Sequence, residues 1–266
     1  MSGLRSEILE TSSGSRIAIR EGGEGAHAVF AIGGMAPSPF GDTAIGKILE
    51  QTAGGDARVV LMDIAGSGAS RAAADRFTMD VWLADVEDVF ERRVGRPAIA
   101  TGASIGAWLM LLVHRRHPDW FTAMCALAPA LDWDQQYVGP ALRDGKLSVI
   151  DGVVANADAT LLASRELLVS MAAHHVLSEP FQLSAPMHVI TGMRDEVAPA
   201  GAARRFMDSA HGESCTGEFL TDADHRVAKL DGPVATRCYE VWLRARLEEH
   251  PAASARFAPA GPRSAR

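Results

Sequence analysis

Ser104 stands in Thr101-Gly-Ala-Ser-Ile-Gly106, a Gly-x-Ser-x-Gly pattern. A short apolar run, Ala98-Ile99-Ala100, precedes it, and a long apolar stretch to Val113 follows. That context predicts a strand, a sharp turn and a helix. A serine at such a turn projects its hydroxyl beyond the sheet edge, and small flanking residues let the backbone fold back on itself. The helix start sets backbone N–H groups and a positive dipole end beside the hydroxyl. The N–H of Ile105 is therefore a candidate donor to an oxyanion. The bland alternative is a glycine-rich turn with a passive serine.

A serine hydroxyl is a weak nucleophile without a base, and the chain has nine histidines. His225 follows the last expected strand, in Thr221-Asp-Ala-Asp-His-Arg226. A loop after a strand, at the C-terminal edge of a sheet, is where a base for Ser104 belongs. His27 opens a strand at the opposite edge. His114 and His117 sit at the far end of the helix after Ser104, and His188 falls inside a strand as a satisfied core residue. His211 and His250 read as surface residues, while His174 and His175 fall in a region that could touch substrate. An acid that orients the base should come from another strand end. Met187-His-Val-Ile-Thr-Gly-Met-Arg-Asp195 supplies one. The Asp195 carboxylate would fix the imidazole tautomer and stabilise the imidazolium. Glu196, Asp222 and Asp224 are neighbours with the alternative roles of turn hydrogen bonding and solvation.

The elements that must carry these groups alternate. Ile17–Arg20, Ala28–Ile32, Arg58–Asp63, Pro97–Thr101, Ala123–Ala128, Met187–Thr191 and Gly217–Leu220 read as strands. Val59-Val60-Leu61 is consecutive and bulky, as expected when both faces of a strand are covered. Helical patterns lie between them. Thr78–Val94 has a capping threonine and one broad apolar face, and Ser104–His117 is apolar nearly all round and so buried. Ala200–Ala210 and Pro233–Leu247 are the last two helices. This rhythm predicts a mostly parallel, doubly wound α/β sheet with helices on both faces. Residues 130–184 interrupt it and read as a small inserted helical cap within a single domain of residues 1–249, the helix lying over Ala159–Ala173. Residues 250–266, rich in Pro, Ala, Ser and Arg, read as a disordered tail.

Composition bounds the partners. The chain has 266 residues, 47% hydrophobic and 22% charged, which excludes global disorder and allows a large core. Three cysteines make no disulfide framework and show no metal-ligand spacing with histidines, so a reducing, cytoplasmic setting is expected. A net charge of −7 argues against a nucleic-acid binder working through a basic surface. The start of the chain lacks a signal-peptide core, and the longest apolar stretch, Ala103–Val113, falls short of a membrane span. There is no phosphate loop, dinucleotide fingerprint or zinc motif, so neither cofactor nor metal is expected. Trp108 lies one turn beyond Ser104 and either lines an acyl pocket or anchors the core. Trp133 and Tyr137 fall where substrate pockets form in such sheets, and Met171 is a further candidate from the cap, or plain cap core. Gly34 lies in the glycine pair after the strand Ala28–Ile32, a loop able to supply the second oxyanion donor.

With the order Ser104…Asp195…His225, the sequence resembles the α/β-hydrolase superfamily. The likeness spans roughly Ser15–Ala128 and Pro186–Leu247. It includes Asp63-Ile-Ala-Gly66-Ser-Gly68-Ala-Ser70, which looks like the D-x-x-G-x-G-x-S turn of that superfamily. Gly102-Ala-Ser-Ile-Gly-Ala-Trp-Leu-Met-Leu-Leu112, Gly192-Met-Arg-Asp-Glu-Val-Ala-Pro199 and Asp224-His-Arg226 look most like the mitochondrial acyl-protein thioesterases, acyl-glucuronide esterases and their bacterial relatives. The resemblance implies a His-Gly-x loop whose x donates to the oxyanion, here Met35, with Gly33 replacing the histidine. It implies a cofactor-free serine hydrolase acting on a small-molecule carboxylic ester or thioester through an acyl-enzyme. The cap residues Asp151–Ser184 are not matched, so the substrate stays open. Alternatives are a pathway enzyme using the same three residues for acyl transfer, lactone formation or C–C bond hydrolysis, and a non-catalytic small-molecule binder on this scaffold.

Overall fold

The computed structural model describes residues 3–36, 38–55, 57–70, 77–95, 97–156 and 162–249. The expected tail, 250–266, lies outside them. In chain order the sheet and its helices are β1 (Arg5–Glu10), β2 (Arg16–Gly22), β3 (His27–Ile32), α1 (Ala44–Ala53), β4 (Ala57–Met62), α2 (Met79–Val89), β5 (Ala98–Ala103), α3 (Ile105–Arg116) and β6 (Phe121–Leu127). Next come α4 (Gly139–Arg143) and α5 (Arg165–Met171), then β7 (Met187–Gly192), α6 (Ala200–Ser209), β8 (Cys215–Leu220) and α7 (Pro233–Glu249). The eight strands form one sheet ordered β1-β2-β4-β3-β5-β6-β7-β8. β2 pairs antiparallel with both β1 and β4, and every other pairing in the sheet is parallel.

Alternation along the strands sorts side chains to two faces. Val29 and Ala31 of β3 pack with Ile45, Ile48 and Leu49 of α1 and with Tyr239 and Leu243 of α7. Phe30 and Ile32 point the other way, into the core shared with α2, α3 and α6. Each such large apolar side chain taken fully from water contributes about 1.5–3 kcal/mol. α3 is buried from Ile105 through His114, which explains why it lacks a polar face in sequence. Its end is set by Pro118, which excludes the helical conformation at the residue before it. α2 starts where Thr78 Oγ1 accepts the Val81 N–H at 3.2 Å, and a wide π turn extends it to Val94.

Two expectations are corrected. β1 was not apparent in sequence: as an edge strand it buries only Leu9 and half-buries Glu7, so its polar residues hide the strand period. The region 130–184 is not mainly helical. Helix there is confined to α4, α5 and single turns, and residues 159–161 of the expected helix lie outside the described residues. Its centre is instead a small antiparallel sheet of Ser148–Ile150, Val153–Ala155 and Leu162–Ser164. Asp151 (φ +50°) and Gly152 (φ +79°) form the tight turn of its first hairpin, the Asp-Gly turn that β-branched neighbours favour.

Candidate active site

The turn from β5 into α3 holds Ser104 at φ +53°, ψ −121°, an unfavourable conformation for a residue with a Cβ. The surroundings fix it. Ser104 N–H donates to Leu127 O at 2.9 Å, and its carbonyl accepts from Ala107 N–H at 3.1 Å and Ala130 N–H at 3.2 Å. The flanking glycines are required for packing rather than for dihedral freedom. A Cβ on Gly102 would overlap the backbone of Gly106 and Ala107, and one on Gly106 would overlap the carbonyls of Ile32 and Gly33. The elbow is thus clamped between β3 and its own helix.

Asp195 and His225 arrive on adjacent parallel strands. β7 and β8 pair up to Gly192 and Leu220. Beyond them the two loops remain zipped, with Met193 N–H to Leu220 O and Arg194 N–H to Ala223 O, both 2.9 Å. Gly192 lies so close to Ala223 and Asp224 that any side chain would push the loops apart. Asp224 caps the turn that begins at His225 by accepting the Arg226 N–H at 2.9 Å. His225 Nε2 then lies 3.1 Å from Ser104 Oγ, and His225 Nδ1 lies 2.8 Å from Asp195 Oδ2. The Asp195 side chain is fully enclosed, that of His225 is 30% exposed, and Ser104 is 8% exposed. A serine hydroxyl, an imidazole and a buried carboxylate are therefore in hydrogen-bonded series, the arrangement that proton abstraction from a hydroxyl requires.

Gly34 sits against the elbow, where a Cβ would lie 2.8 Å from both Ser104 Cβ and Ala103 O. This brings the Gly33–Met35 loop beside Ser104. Ile105 opens α3, and its N–H is one of the helix's orphan donors. Gly33 also has a steric reason to lack a side chain, since its Cβ would meet Phe40 Cβ at 2.9 Å. The Asp63 turn supports this loop from below. Asp63 Oδ1 accepts Phe40 N–H at 2.7 Å, Oδ2 accepts Ala69 N–H at 2.9 Å, and Gly68 N–H donates to Ala36 O at 2.8 Å. Burial pushes the Asp63 carboxyl up, against the two N–H bonds that favour its charged form.

Three of the expected pocket residues are corrected. Trp108, Trp133 and Met171 are 0–1% exposed and lie in the core, leaving no surface for a ligand. The Trp108 indole N–H is spent on the carbonyl of His174, 3.0 Å away. Tyr137 is half-buried, stacked on Trp133 with centroids 5.7 Å apart. Sequence reasoning overlooked Asp132, whose buried carboxylate joins the outgoing arm of the 130–184 segment to Val176 and Leu177 of its returning arm. No local pattern signals it, because its partners are backbone groups far along the chain.

This sheet order, with a Gly-x-Ser-x-Gly turn after β5 and an aspartate and a histidine in the loops after β7 and β8, defines the α/β-hydrolase fold. The chain has that fold, and its similarity is to a particular group within it. Residues 43–159 match the family described as Serine aminopeptidase, S33. The human mitochondrial palmitoyl-protein thioesterase ABHD10 is 22% identical over 174 residues, which cover 63% of this chain and 57% of that protein. The match thus spans little more than half of this curated relative. A structure of a protein from Agrobacterium vitis S4 assigned to the hydrolases superposes with a TM-score of 0.76 at 20% identity, covering 92% of this chain and 99% of that one. Mouse α/β-hydrolase domain-containing protein 10 superposes with a TM-score of 0.75 at 18% identity, covering 92% and 99%. Together these similarities support a hydrolase. No helix among the described residues is long and apolar enough to cross a membrane.

Proposed function

We propose that the chain is a serine hydrolase that cleaves a carboxylic ester or thioester through an acyl-enzyme. The observation that carries this reading is the hydrogen-bonded series Ser104–His225–Asp195, at 3.1 and 2.8 Å, built on a strained elbow. In the first half-reaction Ser104 Oγ attacks the acyl carbon while His225 Nε2 takes its proton. Asp195 Oδ2 holds the Nδ1–H and stabilises the imidazolium. The backbone N–H groups of Met35 and Ile105 bind the developing oxyanion. Collapse expels the alcohol or thiol, which takes the proton from His225, and the acyl group remains on Ser104. In the second half-reaction water gives its proton to His225 and attacks the ester. The carboxylic acid leaves, and Ser104 Oγ recovers its proton. The thioesterases among the similar proteins favour a thioester leaving group.

The test is active-site labelling followed by turnover. A fluorophosphonate probe should attach to Ser104 in the native protein and fail on Ser104→Ala. Native protein should release thiol from an acyl thioester, and His225→Ala should lose that activity. A folded native protein that resists the probe would sink the proposal. Retained turnover in His225→Ala would assign the base elsewhere.

A further inference from the structure

The segment between β6 and β7 leaves the sheet beside the nucleophile elbow, and residues 174–177 of its returning arm pass back against that exit before the chain re-enters at Met187, at the opposite end of the strands. On the outgoing side Ala130 N–H donates to the Ser104 carbonyl. Two residues on, Asp132 is 1% exposed and held at φ +47°. Its carboxylate crosses to the returning chain, where Oδ1 accepts Val176 N–H at 2.8 Å and Oδ2 accepts Leu177 N–H at 3.0 Å. The returning chain is also fastened to α3. Trp108, one helical turn beyond Ser104, donates to His174 O, and the His175 ring lies over it, with centroids 6.3 Å apart and planes 20° apart. His175 Nε2 in turn bonds the Asp134 carboxylate of the outgoing side at 2.9 Å.

The contacts this segment makes across the acid loop are of another kind. Lys146 meets Glu196 at 3.3 Å and Arg205 meets Gln136 at 2.5 Å, all exposed. Exposed pairs of this sort contribute little, being screened by solvent. Buried charge-assisted hydrogen bonds are worth more, because an unmade one leaves a buried group unsatisfied. The Asp132 clasp is therefore a buried polar tie that joins the segment's outgoing and returning arms beside the elbow. A carboxylate retained against the cost of burial, at a left-handed backbone position that aspartate tolerates better than most residues, is more than a plain connection needs.

We propose that Asp132 is a positioning residue for substrate selection: by locking the outgoing arm of the 130–184 segment to Val176 and Leu177 of its returning arm beside the elbow, it sets the room available to a bulky acyl group on Ser104. The inference rests on the serine-hydrolase reading above. An acetyl-sized group reaches no further than the elbow and does not sense the clasp. A long chain must extend into the space that the segment bounds.

Alkyl fluorophosphonates of short and long chain read this directly, because they report on Ser104 without a known substrate. Inactivation kinetics are compared for native protein, Asp132→Ala, Asp132→Asn and Trp108→Phe. Asparagine keeps one acceptor oxygen, and Trp108→Phe removes the indole N–H while keeping a ring in the core. Short-chain rates should stay within about threefold in every variant. Long-chain rates should fall about tenfold in Asp132→Ala and Trp108→Phe, as for the loss of one or two hydrogen bonds, and less in Asp132→Asn. The loss should appear in the concentration for half-maximal rate and not in the limiting rate. Equal losses for both probes, or none for either, overturn the proposal. If Asp132→Ala does not fold, the other two variants decide by the same criteria. Native protein inert to both probes overturns the serine-hydrolase reading itself, and with it this inference, so the two failures are distinct.

Discussion

Asp195 divides its carboxylate between two tasks, one oxygen for His225 and one for its own loop. Oδ2 lies 2.8 Å from His225 Nδ1, while Oδ1 accepts the N–H groups of Val197 and Ala198 at 2.9 and 2.7 Å. The loop bonds fix which oxygen faces the histidine, and the histidine is thereby fixed as the Nδ1–H tautomer with a free Nε2 toward Ser104.

Asp195→Asn should exploit that division. The two N–H donors hold the asparagine oxygen in the place of Oδ1, so its NH2 faces His225. Nδ1 must then accept, Nε2 must carry the proton, and the base is lost while the fold is kept. The expected result is a fall in kcat of about 10⁴, as the same change gives in the serine protease triad. Unfolding transitions of the two proteins should nearly coincide. A loss of activity no larger than tenfold would show that the acid is not Asp195.

The Gly33–Met35 loop admits a steric test. A Cβ at Gly34 lies 2.8 Å from Ala103 O and from Ser104 Cβ, so Gly34→Ala must move the loop away from the elbow. If Met35 N–H is an oxyanion donor, kcat on any ester should fall by about 10²–10³, the cost of one lost donor. Labelling of Ser104 by a small fluorophosphonate should slow in parallel, since the probe's oxygen occupies the same hole. Unchanged kcat would remove this loop from the mechanism.

Much of the candidate site's geometry was legible because it lies at strand ends. Ser104 and Asp195 each follow a strand of buried residues, His225 follows the more exposed edge strand β8, and their order along the chain determines which loop of the sheet they occupy. The aromatic residues were less legible. Trp108 and Trp133 are of a type that lines pockets and fills cores equally well, and only their enclosure decides for the core. β1 is nearly silent in sequence because an edge strand with one buried residue carries little pattern. The Asp132 clasp has no sequence signal at all, since its partners, Val176 and Leu177, are backbone N–H groups 44 and 45 residues away.

Asp63 should matter to stability and through it to the oxyanion loop. Asp63→Ala strands the N–H groups of Phe40 and Ala69, the first of them in the stretch that follows Gly33–Met35. The Phe40 donor is buried and stranding it costs about 1–3 kcal/mol, whereas Ala69 is exposed and its N–H can turn to water at a smaller cost. Asp63→Asn keeps one acceptor and should lose less. Urea denaturation of the three proteins checks the order native, Asn, Ala; equal stability of native and Ala variants would contradict it.

His114 gives the protein a defined acid sensitivity. It is 1% exposed on α3, its Nε2 accepts the Ser184 N–H at 3.0 Å, and its Nδ1 has no partner among the described residues. Burial lowers its pKa from 6.5 to about 4, so the folded protein holds it neutral where the unfolded chain would protonate it. The sign follows from that difference. Above pH 6.5 neither state binds the proton and the full stability is present. As pH falls from 6.5 toward 4 the unfolded state alone gains protons, and stability drops by up to about 1.4 kcal/mol per pH unit. His114→Gln removes the titrating group while keeping a polar side chain. The difference in unfolding free energy between native and variant, followed by urea denaturation from pH 7 to 4.5, isolates this residue from all groups the two proteins share. Native stability should decline more steeply than that of the variant across this window. Parallel curves would mean that His114 takes its proton in the folded state.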